Sequence, residues 1–124
     1  MAISVVRSRF EIQQINPWAM SEDGDENYWA DQKSNVAYVH VPAFTRNTAK
    51  SMQARLKSLR KEGMKSLVLD LRNCGGGLLS AAVDVSNMFI DEGVILQSSS
   101  RNKERAVTDH AEEGASSPTC RWLC

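Results

Sequence analysis

No apolar run in the chain approaches the ~20 residues that a helical membrane span requires, and the opening MAISVVRSRF lacks the continuous apolar stretch of a signal segment. Net charge is missing as well. Fifteen basic side chains face 15 acidic ones, which leaves no electrostatic footprint for nucleic acid or anionic lipid. Cysteine is sparse: Cys74, Cys120 and Cys124 have neither C-x-x-C nor metal-ligand spacing, and His40 and His110 stand far from all three in sequence. No metal and no cofactor is therefore expected, and a Cys120 to Cys124 disulfide would close only a tiny loop. What the 124 residues do offer is 42% apolar and 24% charged side chains, enough for one small domain with its own core.

The segment SVVRSRFEIQQI alternates around Val6, Phe10 and Ile12 and predicts a strand, which meets Pro17 and loses its pairing there. SEDGDEN is acidic and carries Asp-Gly, a hairpin or loop signal, after which YWAD begins a return strand and DQKSN turns again. Residues 1–34 are thus read as strands and an acidic turn leading into a core. NVAYVHV sets Val36, Tyr38 and His40 on one face against Ala37, Val39 and Val41 on the other, the period of a sheet, and Pro42 ends it.

Asn47 or Thr48 is positioned to cap a helix in which Ala49, Met52, Leu56 and Leu59 recur at spacings of three and four, with Gly63 as its stop. Lys50, Arg55, Lys57, Arg60 and Lys61 then fall on a solvated face; no aromatic interleaves them as a nucleic-acid patch requires. SLVLDL is a short apolar run with one carboxylate, as in a parallel strand covered on both faces. Leu78, Ala82, Val85 and Phe89 next repeat with helical period, widened by Leu79, Val83 and Ile90, and Gly93 leads into a strand VILQ. Two successive crossovers make the class α/β, a βαβαβ order with an antiparallel N-terminal extension.

Between the apolar strand and the second helix stand three glycines, Gly75, Gly76 and Gly77. A strand that ends this way and opens into a helix can aim bare amides and the positive helix terminus at one point. Phosphate binding and an oxyanion hole both use that geometry, and a plain turn needing positive φ is the third reading. Phosphate is poorly served. No lysine follows the glycines as in G-x-x-x-x-G-K-[ST], and Leu78 and Leu79 stand where G-x-G-x-x-G needs its last glycine. Asp91 and Glu92 also come too early for a ribose contact.

The stretch from VAYVHVPAF to DEGVI resembles the protease core of the C-terminal processing peptidases, also called tail-specific proteases. The likeness rests on Phe44, Asn47 to Ala49, Gly63 to Lys65, Leu69 to Arg72, Gly76 to Leu79 and Glu92 to Ile95, within about half the chain. It departs at Cys74 and Gly75, where the family more often has Asn-Pro, and glycine loosens the loop relative to proline. The resemblance implies a crotonase-like fold, a Ser/Lys endopeptidase and a polypeptide substrate recognised near its C-terminus. It implies an exported or periplasmic location too, although no signal segment is present. It gives Gly76 or Gly77 an oxyanion-hole amide, worth about 3 kcal/mol in the transition state, and leaves Asp70 and Arg72 as supports of the loop. The nucleophile and base that the family places beyond the glycine helix have no counterpart: Ser80, Ser98 to Ser100, Ser116 and Ser117 lie outside the nucleophile context.

The ending ASSPTCRWLC has no periodicity. With a CGN arginine codon, an adjacent frame behind Thr119 to Cys124 can encode L-P-M-V-V, a strand the family places before its nucleophile. The expectation is a peptidase core over 35–114 followed by an out-of-frame tail over 115–124, a fragment cut at both ends and inactive alone. The alternative is a non-catalytic anion- or peptide-binding α/β module.

Overall fold

The computed structural model describes residues 13–99 and 106–112. The strand expected around Val6, Phe10 and Ile12, the stretch 115–124, Ser100, Ser116, Ser117, Cys120 and Cys124 lie outside those residues.

The Asp-Gly signal becomes a hairpin of β1 (Ala19–Met20) and β2 (Glu26–Asn27). Its turn is closed by the Ser21 amide donating to the Asp25 carbonyl at 2.9 Å and the Gly24 amide to the Ser21 carbonyl at 3.0 Å, with Gly24 at φ 86°. β3 (Trp29–Asp31) then pairs antiparallel with β4 (Val36–His40). The turn between them is held by Asp31, whose carboxylate accepts from the Lys33 amide at 3.0 Å and the Ser34 hydroxyl at 2.7 Å.

From β4 the chain crosses over through α1 (Thr48–Lys61) to β5 (Ser66–Asp70), which lies parallel to β4 with Tyr38 opposite Val68 and His40 opposite Asp70. The sheet order is β3-β4-β5. Of the two residues positioned to cap α1, Asn47 makes no side-chain cap, and Thr48 instead ties down the segment that leads into the helix. Thr48 is fully buried, and its hydroxyl accepts from the Thr45 amide at 2.9 Å and donates to the Ala43 carbonyl at 3.1 Å. The other end is as expected. Gly63 sits at φ 97°, its amide donates to Arg60, and the Met64 amide reaches back to Leu59, the paired bonds of a Schellman stop.

Met52, Leu56 and Leu59 of α1 bury against Ala37 and Val39 of β4, with Val41, Ile15 and Tyr28 completing the core. Three expectations need correction. β5 is not covered on both faces: Leu67 and Leu69 pack on the core while Val68, on the opposite face, stays 46% exposed, and β5 is also an edge of its sheet among the described residues. Arg55 does not join the solvated face of α1; it bonds Glu26 at 2.5 Å and lies 4.2 Å over the Tyr28 ring, docking the hairpin to the helix. Finally, α2 (Leu79–Asn87) turns Ala81 and Val85 inward and leaves Leu78 and Leu79 exposed, so of the face read off Leu78, Ala82 and Val85 only Val85 is buried.

The α/β class and the antiparallel N-terminal extension stand. The expected second crossover is not formed among the described residues: after α2 the chain enters β6 (Val94–Ser98), which pairs antiparallel with β7 (Val107–His110) in a sheet of its own and not with β5.

Candidate active site

The site forms where β5 ends. Asp70 is the last residue of that strand and is buried, a position a carboxylate tolerates only when its oxygens are satisfied. They are. The Arg72 amide donates to Asp70 Oδ1 at 2.8 Å, Arg72 Nε reaches both oxygens at 3.0 Å, and Arg72 Nη2 reaches Oδ2 at 2.7 Å. From the neighbouring strand the Tyr38 hydroxyl donates to Oδ2 at 2.5 Å. Together these bonds, the Arg72 side chain foremost and Tyr38 next, hold the Asp70 carboxyl far below the usual carboxylate range. Arg72 is pushed up in return by Asp70, and the Tyr38 phenol is raised because its proton is committed to Asp70.

His40 ties the next residue. Its Nε2 lies 2.9 Å from the Arg72 carbonyl, which can only accept, so Nε2 carries the hydrogen and Nδ1 accepts from Asn16 Nδ2 at 3.2 Å. Asn16 is itself clipped to His40 by two backbone bonds of 2.8 and 3.0 Å. On Tyr38 the Trp18 ring packs edge to face, with centroids 5.1 Å apart. The chain past Asp70 is thus gripped by β4 and by the segment that precedes the hairpin.

Beyond Arg72 the backbone turns through Asn73 at φ 60°, and the Cys74 amide donates to the Leu71 carbonyl at 3.1 Å. The three glycines that follow are not equivalent. Gly75 stays out of the left-handed region, Gly76 adopts φ 90° and Gly77 φ 141°. Gly77 forms a parallel bridge with Phe44: the Phe44 amide donates to the Gly76 carbonyl at 2.9 Å, and the Leu78 amide donates to the Phe44 carbonyl at 2.8 Å. A Cβ on Gly77 would stand 2.1 Å from the Phe44 oxygen, so only glycine fits. Because the peptide between Gly76 and Gly77 is trans, its carbonyl and N–H point to opposite sides. The Gly76 carbonyl faces Phe44, and the Gly77 N–H is therefore aimed away from it.

Among the described residues the amides of Gly75, Gly76 and Gly77 meet no acceptor. Directly after them α2 begins, with Leu78 at its N-cap and no side chain over its first amides. Gly77 and Leu78 also line an open cavity of about 1230 Å³, together with Lys50, Ser51, Ala54, Arg55 and Ser58 of α1.

Asp70, Arg72, Gly76 and Gly77 are therefore brought to one end of β5. Ser80 lies exposed in α2, and among the described residues no lysine ammonium is within bonding reach of a serine hydroxyl. No cluster of three or more metal-ligating side chains is present among them, and no helix of theirs is long and apolar enough to cross a membrane. Tyr38, His40, Asn16 and the backbone of Phe44 were not legible as parts of this site. The alternation of Tyr38 and His40 put them on one sheet face, but only the strand register sets that face beside Asp70.

The model of Peptidase family S41 matches residues 35–121. The carboxy-terminal processing protease CtpA of Bacillus subtilis is 34% identical over 90 residues, which are 71% of this chain and 19% of that protein. The chloroplastic C-terminal processing peptidase of Tetradesmus obliquus is 43% identical over 61 residues, 49% of this chain and 13% of its own. Among solved structures, the photosystem II D1 C-terminal processing protease matches with a TM-score of 0.54 and 34% identity, over 68% of this chain and 22% of that one. The chain thus spans about a fifth of the length of the relatives it matches over most of its own. With the family's pattern running through the glycine loop and both helices, the chain belongs to peptidase family S41, among the C-terminal processing serine peptidases.

Proposed function

We propose that this chain supplies one amide of the oxyanion hole of a C-terminal processing endopeptidase, and that Gly77 is the donor. The observation that carries the reading is the bridge to Phe44, which fixes the peptide plane between Gly76 and Gly77 and leaves its N–H aimed outward without an acceptor. A donor of that kind needs no reorganisation as charge develops on a carbonyl oxygen, which is why a fixed amide lowers an acyl-transfer barrier more than solvent does. Gly76 keeps a φ of 90° that lets the loop reach Phe44, and its own N–H belongs to a peptide that Phe44 does not fix. Asp70 and Arg72, with Tyr38 and His40 behind them, hold the root of the loop and take no part in the chemistry.

The substrate in this reading is a polypeptide, cut near its C-terminus. Residues 35–114 contribute part of the peptidase core, and residues 1–34 lead into it. Attack on the polarised carbonyl requires a serine activated by a lysine, and the chain by itself does not hydrolyse peptides. A hole without a positioned nucleophile lacks the proximity term that makes attack fast.

The test replaces the matching segment of the Bacillus subtilis protease with residues 35–112 of this chain. The chimera is expected to cleave peptides within about tenfold of the parent, roughly 1.4 kcal/mol of barrier, while the isolated chain gives no rate above buffer. Hydrolysis by the isolated chain would overturn the division of labour. A folded but inactive chimera, together with phosphate binding by the chain that Gly76→Asp abolishes, would favour a non-catalytic anion-binding module instead.

A further inference from the structure

The cavity that Gly77 and Leu78 line is bounded also by α1 and by Ile15, Glu26 and Tyr28. Its floor is apolar. Ile15 is 6% exposed and Tyr28 3%, and Phe44 packs partly buried against the same core. Amide and hydroxyl side chains, Gln13, Asn47 and Ser51 among them, stand around it, a setting that suits an extended backbone with bonds to share.

The charge on its wall is unbalanced. Glu26, Arg46, Lys50 and Arg55 are the carboxylate and cations that line it. Glu26 is already taken by Arg55 at 2.5 Å, and Arg55 is further held over Tyr28. Arg46 and Lys50 are left, both exposed, neither with a carboxylate partner among the described residues. Arg46 stands two residues and Lys50 six residues beyond Phe44, whose backbone carries the bridge to Gly77, and all four residues line the same cavity.

We infer that this cavity seats the polypeptide beside the bond to be cut, and that Arg46 and Lys50 select an acidic side chain there. The inference rests on Gly77 receiving the scissile carbonyl, since that is what places a peptide in this cavity. Apolar neighbours of the acidic residue lie on the floor made by Ile15 and Tyr28. Because both cations are solvated, the preference is modest, about five- to tenfold at low ionic strength, and it fades as salt screens it.

The experiment measures binding of two fluorescein-labelled hexapeptides, Ala-Ala-Glu-Ala-Leu-Ala and its Gln isostere, to the full chain by fluorescence polarisation. The Glu peptide is expected to bind about five- to tenfold tighter at low salt. Arg46→Gln with Lys50→Gln removes that preference, and Lys57→Gln with Lys61→Gln, on the same helix but outside the cavity, preserves it. Equal binding of the two peptides, equal loss with the control pair, or displacement by inorganic phosphate as effective as by the Glu peptide would each overturn the inference. The same peptides with Glu or Gln stepped through each position, assayed for kcat/KM in the chimera, give a second readout. Should the Glu preference hold while loss of the Gly77 N–H leaves turnover untouched, the oxyanion reading alone falls. The reverse result removes only the acidic-residue selectivity.

Discussion

Alanine placed at each of the three consecutive glycines in turn is expected to give three different outcomes. At Gly75 the backbone is outside the left-handed region and nothing lies within 4 Å of the added Cβ. The main effect there is on the unfolded chain, which loses freedom, so Gly75→Ala stabilises by about 0.5 kcal/mol. Gly76 also has open space, but its φ is 90°. Gly76→Ala therefore costs about 1–2 kcal/mol of backbone strain and nothing more. At Gly77 the φ of 141° is joined by a Cβ 2.1 Å from the Phe44 oxygen and 2.8 Å from its carbonyl carbon, contacts that no rotamer relieves. The bridge has to open. Two backbone bonds at about 1 kcal/mol net each, added to strain of about 1–3 kcal/mol, give about 3–5 kcal/mol for Gly77→Ala. Urea midpoints read the global cost at constant slope. Hydrogen exchange at the Phe44 and Leu78 amides reads the bridge itself, and both should exchange at least about 100-fold faster in Gly77→Ala. Equal midpoints for Gly76→Ala and Gly77→Ala, with Leu78 still protected, would refute the account of the bridge.

Thr48→Val keeps the shape of a fully buried side chain but orphans the Thr45 amide and the Ala43 carbonyl. The expected cost is about 2 kcal/mol in a urea melt, and a change below about 0.5 kcal/mol would show that the hydroxyl does not fix the start of α1. Asp70 bears on acid stability: its carboxyl lies below the ordinary 3.8 through its bonds to Arg72 and Tyr38, so the folded form takes up a proton less readily than the unfolded one. Its stabilisation is complete above that ordinary value and is lost as the pH falls through it toward the folded pKa. The urea midpoint should therefore drop as the medium is acidified below about pH 4, and drop less steeply in Asp70→Asn; parallel slopes would refute the link.

What was legible in the sequence is what local period and local chemistry specify. Tyr38 and Val39 alternate because a strand must, Met52, Leu56 and Leu59 recur because a helix does, and Gly63 ends that helix in the conformation its missing Cβ permits. The departures come from partners distant in the chain. Val68 reads as buried in a continuous apolar run, yet its exposure depends on whether anything packs on its face of the sheet, which a run of letters does not encode. Leu78 and Leu79 fit a helical face, but α2 buries Ala81 beside the expected Val85 and leaves both leucines exposed. Arg55 has the charge of a solvated residue and the length to reach Glu26, and the hairpin decides between them. In the site, Asp70 and Arg72 are close neighbours in sequence and their pairing was foreseeable. Tyr38 comes to Asp70 across a separation of 32 residues, through a register that no motif announces. The three glycines read alike as letters, and only the bridge to Phe44 separates Gly77 from the others.

The central claim is that the Gly77 N–H, and not merely the glycine, carries the function. Semisynthesis that replaces the peptide bond between Gly76 and Gly77 by an ester removes that hydrogen without adding a Cβ; the Leu78 amide keeps its bond to Phe44, and the Gly76 carbonyl still faces the Phe44 amide as a weaker ester acceptor, a loss that hydrogen exchange at Phe44 reads separately. Measured in the chimeric protease, kcat is expected to fall by about 10²–10³ while KM changes little, the signature of a bond made in the transition state. A kcat within about threefold of the all-amide chimera, under 1 kcal/mol of barrier, would contradict the assignment of Gly77 to the oxyanion hole.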